Sequence, residues 1–201
     1  TFQHSRQPQA SLGLNNRPNR MTGAAALPPK PDRWRPSVTV AAIISRQAAD
    51  GQTRFLLIEE HTAEGLRLNN PAGHLDPAES PEQAVVREAL EETARVFSPE
   101  HFLGVYLSRF QRASTGEDIT YLRLAYAGTV GEPQPGRTLD EGIVRTLWMT
   151  LQEVCSSADR HRSPLVLQCV EDLVAGRRYP LQTVITHPSV AQPTPAAAPR
   201  N

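Results

Sequence analysis

The feature that most constrains this chain is Gly73-His74-Leu75-Asp76-Pro77-Ala78-Glu79, followed after a short gap by Arg87-Glu88-Ala89-Leu90-Glu91-Glu92. Between its two halves lie Ser80, a good N-cap, Pro81, suited to the first helical position, and Gln83, which completes a capping box. These signals predict a helix from about Pro81 to Val96. At 100° per residue, Val86, Ala89, Leu90, Thr93 and Phe97 form an apolar stripe expected to face the core. Glu88, Glu91 and Glu92 stand at i, i+3 and i+4 on the opposite edge, where like charges repel by a few tenths of a kcal/mol per pair. A solvated acidic face, partly neutralised by Arg87, is one way to carry them. A bound divalent cation is the other, and the glycine-containing turn just upstream favours it.

The rest of the chain sets the frame for that segment. With 201 residues, there is room for one full-sized domain. Residues 1–36 carry Pro8, Pro18, Pro28, Pro29, Pro31 and Pro36 among polar residues and alanines, without hydrophobic periodicity, and read as a disordered leader. The tail over 187–201, with Pro188, Pro193, Pro195 and Pro199, reads the same way. The folded region is therefore 37–186. Because the chain starts at Thr1, Met21 is the expected translation start, and native protein with residues ahead of Met21 would refute this.

Within the folded region, Val38–Ile44 and Arg54–Glu59 predict strands joined by an Ala49–Gln52 turn. A loop carrying Gly73 leads into the predicted helix. Two strands, His101–Gln111 and Ile119–Val130, flank a Ser114–Asp118 turn, and a shorter one covers Ile143–Met149. Helices are expected near Leu151–Ser157 and Pro164–Ala175, the last stopped by Gly176. Strands interspersed with helices make this an α/β chain with a mixed sheet in an α/β/α sandwich.

The formal net charge is zero, which excludes gripping a nucleic-acid polymer or an acidic membrane by bulk charge. No run approaches transmembrane length and no signal-peptide core is present. Cys155 and Cys169 lack metal-site spacing and read as free, buried thiols of a reducing cytoplasm.

The pattern G-x5-E-x7-R-E-x-x-E-E matches the Nudix box, and over 37–186 the chain resembles the Nudix hydrolase family. Val38–Ala41, Asn70–Leu75, Trp148, Arg162–Val166 and Arg178–Leu181 make it similar to the NudJ-type phosphatase subgroup. The resemblance implies a loop–helix–loop motif on an α/β/α sandwich. It implies that Glu88, Glu91 and Glu92, with the carbonyl of Gly73, hold Mg²⁺ or Mn²⁺, while Glu79 pairs with Arg87 as a structural ion pair. Glu88, Glu91 and Arg87 are then the catalytic candidates. Two departures stand out. The family has Gly and an apolar residue where this chain has Ala94-Arg95, and the subgroup has Trp-Asn-Gln-Pro where it has Leu68-Asn69-Asn70-Pro71.

Such a carboxylate cluster suits Mg²⁺ bridging phosphate oxygens, so the implied substrate is a small phosphorylated metabolite or nucleotide. The subgroup cleaves phosphoanhydrides in nucleoside di- and triphosphates and in hydroxymethylpyrimidine pyrophosphate. A pyrophosphohydrolase on another nucleoside-diphosphate derivative (ADP-ribose or an oxidised dNTP) is the enzymatic alternative. A non-catalytic nucleotide sensor is the other, although a sensor has no need of all three glutamates. The base that orients water is open among Glu88 and Glu91, Glu117 or Asp118, and Asp140 or Glu141. His74, Arg109, Arg112 and Arg123 are candidates for phosphate contacts, with loop packing and solvated strand positions as their ordinary roles. Phe110, Tyr121 and Tyr126 are candidates for stacking on a base, with core packing as the ordinary role, as it is for Trp148. The expected assembly is a monomer or small homo-oligomer in the cytoplasm.

Overall fold

A computed structural model describes residues 33–112 and 115–192. The elements below all belong to the unit that starts at Arg35. The expected leader up to residue 32, with Met21, lies outside the described residues, as do Ser114 and the tail from residue 193.

The β-branched run after Pro36 forms β1 (Ser37–Gln47), and the segment after the Asp50-Gly51 turn returns as β2 (Thr53–Thr62). Two short strands follow, β3 (Gly65–Asn69) and β4 (Ala72–His74), ahead of α1 (Pro81–Thr93). Two long strands, β5 (Phe97–Gln111) and β6 (Asp118–Val130), then β7 (Ile143–Thr150), α2 (Leu151–Ser156) and α3 (Leu165–Val174) complete the order.

The sheet runs β3-β2-β1-β6-β5, with β4 beside β1 and β7 beside β2. On one edge, β1 pairs antiparallel with β4 through Thr39–Ala41 and with β2 through Ser45–Gln47. On the other, Ser37–Ile44 run parallel and in register with Tyr121–Gly128 of β6. Alternation along β1 divides the core between two faces. Val40, Ala42 and Ile44 pack with Ala84, Val85 and Ala89 of α1. Ala41 and Ile43 pack with Val166, Cys169 and Val170 of α3. Each fully buried Val, Leu or Ile contributes about 1.5–3 kcal/mol, so both helices are held chiefly by these faces. The mixed sheet between helices is an α/β/α sandwich.

Three local expectations need correction. The helix ends at Thr93 instead of Val96, because Ala94 turns left-handed (φ 55°, ψ 22°) with its N–H on the Leu90 carbonyl. Val96 and Phe97 consequently leave the helix, and Phe97 opens β5 as a buried core residue. The buried face of α1 is also rotated from the predicted stripe: it carries Ala84, Val85, Ala89 and Thr93 together with Glu88 and Glu92. Those positions follow i, i+3, i+4 spacing just as well, and two glutamates on that face hid it in the sequence. Finally, the segment around Gly73 is strand, not loop, with Gly73 opposite Val40.

The capping box is present as drawn. Ser80 Oγ accepts from the Gln83 N–H at 3.1 Å, and Gln83 Oε1 accepts from the Ser80 N–H at 2.8 Å. Gly176 follows α3 at φ 82°. Cys169 is buried but Cys155 is exposed, since the short α2 buries only Val154. His187 to Gln192 hold a 3-10 turn over Pro188–Ala191. No helix among the described residues is long and apolar enough to cross a membrane.

Candidate active site

Arg87 is the hub of the loop–helix segment. Its Nε donates to Glu79 Oε2 at 3.1 Å and its Nη2 to Glu79 Oε1 at 2.8 Å, a bidentate pair. Nη2 also reaches the His74 carbonyl at 3.1 Å. Nη1 donates to Glu88 Oε1 at 2.7 Å and to Glu91 Oε2 at 3.0 Å. One guanidinium thus joins the turn before the helix to two of its glutamates. The Arg87 hydrogen bonds hold the Glu79 carboxyl below its ordinary range, against the opposing effect of burial. The same contacts, with Glu79 first, hold Arg87 firmly charged.

Glu88 lies directly across Gly73. A Cβ built on Gly73 would sit 2.1 Å from the Glu88 carboxyl carbon, so any side chain there displaces the carboxylate. Burial raises the Glu88 carboxyl above its ordinary range despite Arg87, with Glu91 and Asp140 adding repulsion. Glu92 is more extreme. Its Oε2 accepts the Ala72 N–H at 2.8 Å, yet burial pushes its carboxyl up to about 9, helped by the charges of Glu88, Glu60 and Asp140.

Hard oxygen donors, crowded and starved of positive charge, suit a hard divalent cation, and by this donor chemistry the residues fit one. Among the described residues, however, no three carboxylates, imidazoles or thiols already form a cation cage. Arg87 draws Glu88 and Glu91 to itself, while Glu92 turns to the Ala72 amide.

The remaining acidic candidates separate cleanly. Glu117 and Asp118 are exposed near the β5–β6 turn, paired with Arg112 at 3.4 Å and Arg109 at 2.5 Å. Those pairs also account for Arg109 and Arg112 as ordinary surface residues. Asp140 is brought to the cluster: its N–H donates to the Glu91 carbonyl at 3.1 Å, and its charge acts on Glu88 and Glu92. Glu141 beside it is exposed.

Next to Glu92 opens a cleft of about 140 Å³, on the sheet face that carries α3. Arg123, expected as a solvated strand residue, is buried at 8% exposure and lines it, because its register partner Thr39 places it on that inward face. Tyr121 and Phe110 line it too, and only Tyr126 of the three aromatic candidates is core. His74 is exposed at the rim, its ring 6.1 Å from that of Tyr121. Trp148 is half-buried, packed on the α1-side core beneath the Arg46 guanidinium at 3.9 Å.

Sequence reasoning missed Glu60, Asn69, Arg162 and Ser163, all in this lining. Glu60 is buried at a bulge in β2, ion-paired with Arg162 and bonded by Asn69 Nδ2 at 3.2 Å. In the sequence Glu59-Glu60 follow the apolar run Phe55–Ile58 and read as the solvated end of a strand; their burial depends on the distant arginines that meet them.

The NUDIX domain family profile matches residues 35–168. Phosphatase NudJ of Escherichia coli (strain K12) is 32% identical over 152 residues, 75% of this chain and 92% of that protein. A solved NUDIX hydrolase from Nitrosomonas europaea is 44% identical with a TM-score of 0.68, covering 77% of this chain and 99% of its own. The NUDIX domain of Shewanella oneidensis NrtR, complexed with ADP ribose, is 21% identical with a TM-score of 0.58 over 75% of this chain and 94% of its own, a likeness of fold.

Proposed function

Since the chain belongs to the Nudix hydrolase family, we propose that it is a Mg²⁺-dependent phosphatase for phosphoanhydrides. Its substrates are nucleoside di- or triphosphates or hydroxymethylpyrimidine pyrophosphate. The observation that carries this reading is the pair of carboxylates on the buried face of α1, Glu88 packed against Gly73 and Glu92 in the lining of the cleft. The likeness to Phosphatase NudJ supports the choice of reaction.

Glu88, Glu91 and Glu92, with the Gly73 carbonyl, would hold Mg²⁺, with Mn²⁺ as an alternative. The ion supplies neutralisation of phosphate charge and a bound water of lowered pKa. The chain's own residues supply the rest. Arg87 fixes Glu79 against the turn and orients Glu88 and Glu91. Glu88, on the buried face of α1 beside Gly73, is the first candidate to take the proton of the attacking water. Asp140 is the second candidate for that proton, since it borders the same cluster. Arg162 offers positive charge to the phosphate chain from the cleft lining. We place the enzyme in the cytoplasm, where its two free thiols stay reduced.

A Mg²⁺ assay over nucleoside di- and triphosphates and hydroxymethylpyrimidine pyrophosphate, with product analysis, tests this. Release of orthophosphate from each is expected. Release of pyrophosphate alone, or of two monophosphates from a dinucleotide-type substrate alone, would replace the phosphatase reading.

A further inference from the structure

The far part of the cleft holds groups that phosphate chemistry leaves idle. Its volume of about 140 Å³ is that of a single six-membered ring: an apolar cavity of about 150 Å³ holds one benzene, and ordinary ligand pockets start near 300 Å³. Part of its wall is aromatic. Phe110 and Tyr121 stack with centroids 5.8 Å apart and planes 21° from parallel, and Phe110 keeps 41% of its surface exposed. Phe110 thus offers exposed aromatic surface in the lining on which another flat ring can stack.

The rest of the lining is polar and incompletely used. Arg123 is buried, yet its nearest oxygen acceptors are Asn70 Oδ1 at 3.4 Å and Asn69 Oδ1 at 3.5 Å. Well-formed N–H···O bonds run at about 2.7–3.2 Å. Its other neighbour, the Cys169 thiol, is a weak acceptor. Ser163 Oγ is buried with no hydrogen-bond partner at all. Asn69 cannot swing over to help, because its Nδ2 is committed to Glu60 Oε1. A buried guanidinium with slack donors and an orphaned hydroxyl in one lining call for a ligand edge that brings its own acceptors.

We propose that this cleft binds a flat, single-ring heterocycle carrying oxygen or nitrogen acceptors, with Arg123 and Ser163 as the specificity-determining residues. Two-ring bases are disfavoured by size. The assignment deepens the functional reading above and rests on it for the phosphate end of the substrate, but binding tests it separately from hydrolysis.

The test is calorimetric binding of CMP, UMP, AMP and GMP to the full chain in Mg²⁺. Pyrimidine nucleotides should bind about tenfold more tightly than purine ones. Ser163→Ala, which deletes one hydroxyl and leaves the backbone free to fold, should shrink that margin about threefold, and Arg123→Lys should shrink it further. Equal affinities for the four nucleotides, or a margin that both variants leave intact, overturns the assignment. If the preference holds but no phosphoanhydride is cleaved, the ring pocket stands and the reaction falls.

Discussion

Two pairs of buried carboxylates sit within this fold, and they are treated oppositely. Glu59 in β2 is clasped by Arg145 Nε at 2.7 Å and by Arg160, and Glu60 beside it is clasped by Arg162 and Asn69. The Arg145 hydrogen bond, foremost among these contacts, holds the Glu59 carboxyl below its ordinary range. On α1, Glu88 shares one arginine with Glu79 and Glu91, and Glu92 accepts a backbone amide, with Arg123 acting on it through charge alone. Both of those carboxyls are raised, chiefly by burial. Carboxylates that serve the fold are paired in full; those on α1 are left with fewer cationic partners, the arrangement that the proposed Mg²⁺ site calls for.

The comparison can be broken most decisively through activity. Glu91→Gln or Glu92→Gln should lower kcat about 10³-fold with an unchanged circular dichroism spectrum. Glu59→Gln, at a more deeply buried carboxylate, should leave kcat within about threefold. An active Glu91→Gln enzyme would remove the metal assignment.

Stability should move the other way. Glu59→Gln strips a buried carboxylate from two arginines and should cost about 2 kcal/mol in urea unfolding at pH 7. Glu92→Gln removes a carboxyl that the fold holds protonated up to about 9. It should therefore raise Tm at pH 8 in EDTA.

The pH profiles follow with opposite sign. The folded pKa of Glu59 is depressed, so its stabilisation is full above about 4.5 and is lost as pH falls through the folded value. The folded pKa of Glu92 is raised, so ionisation pulls against the fold as pH climbs from about 4.5 towards 9. In EDTA, Tm should decline over that upper window. Mg²⁺ should recover it in the wild type and much less in Glu92→Gln.

The smallest effect lies at the end of α1. Ala94 occupies a left-handed position that glycine takes without strain. Ala94→Gly should add about 1 kcal/mol of stability and leave the carboxylate comparison untouched. A loss on urea unfolding would show that the alanine methyl packs better than its backbone suffers.

Much of this was legible in the chain itself, where the signal is local. The Ser80–Gln83 capping box, the start of α1, the β-branched run of β1 and the α3 stop at Gly176 are written in adjacent residues. What could not be read depends on distant partners. β4 is Ala-Gly-His, with no strand propensity of its own, and exists because β1 pairs with it. The rotation of α1 was misjudged because Glu88 and Glu92 occupy its inner face, where periodicity expects apolar side chains. Arg123 and Glu60 are buried by register and by a bulge, facts of tertiary pairing that no window of sequence contains.

One pairing has a bearing on how the protein comes into being. Ser37–Ile44 lie in register against Tyr121–Gly128, so the sheet's central seam joins segments far apart in the chain. Closing such a long loop costs entropy before any contact repays it, and nonlocal pairings of this kind fold slowly. The cleft is more demanding still, since its lining extends from Thr39 to Leu165. A nascent chain emerging from the ribosome carries every glutamate of the box long before α3 is made, and remains inert until that helix closes the far wall.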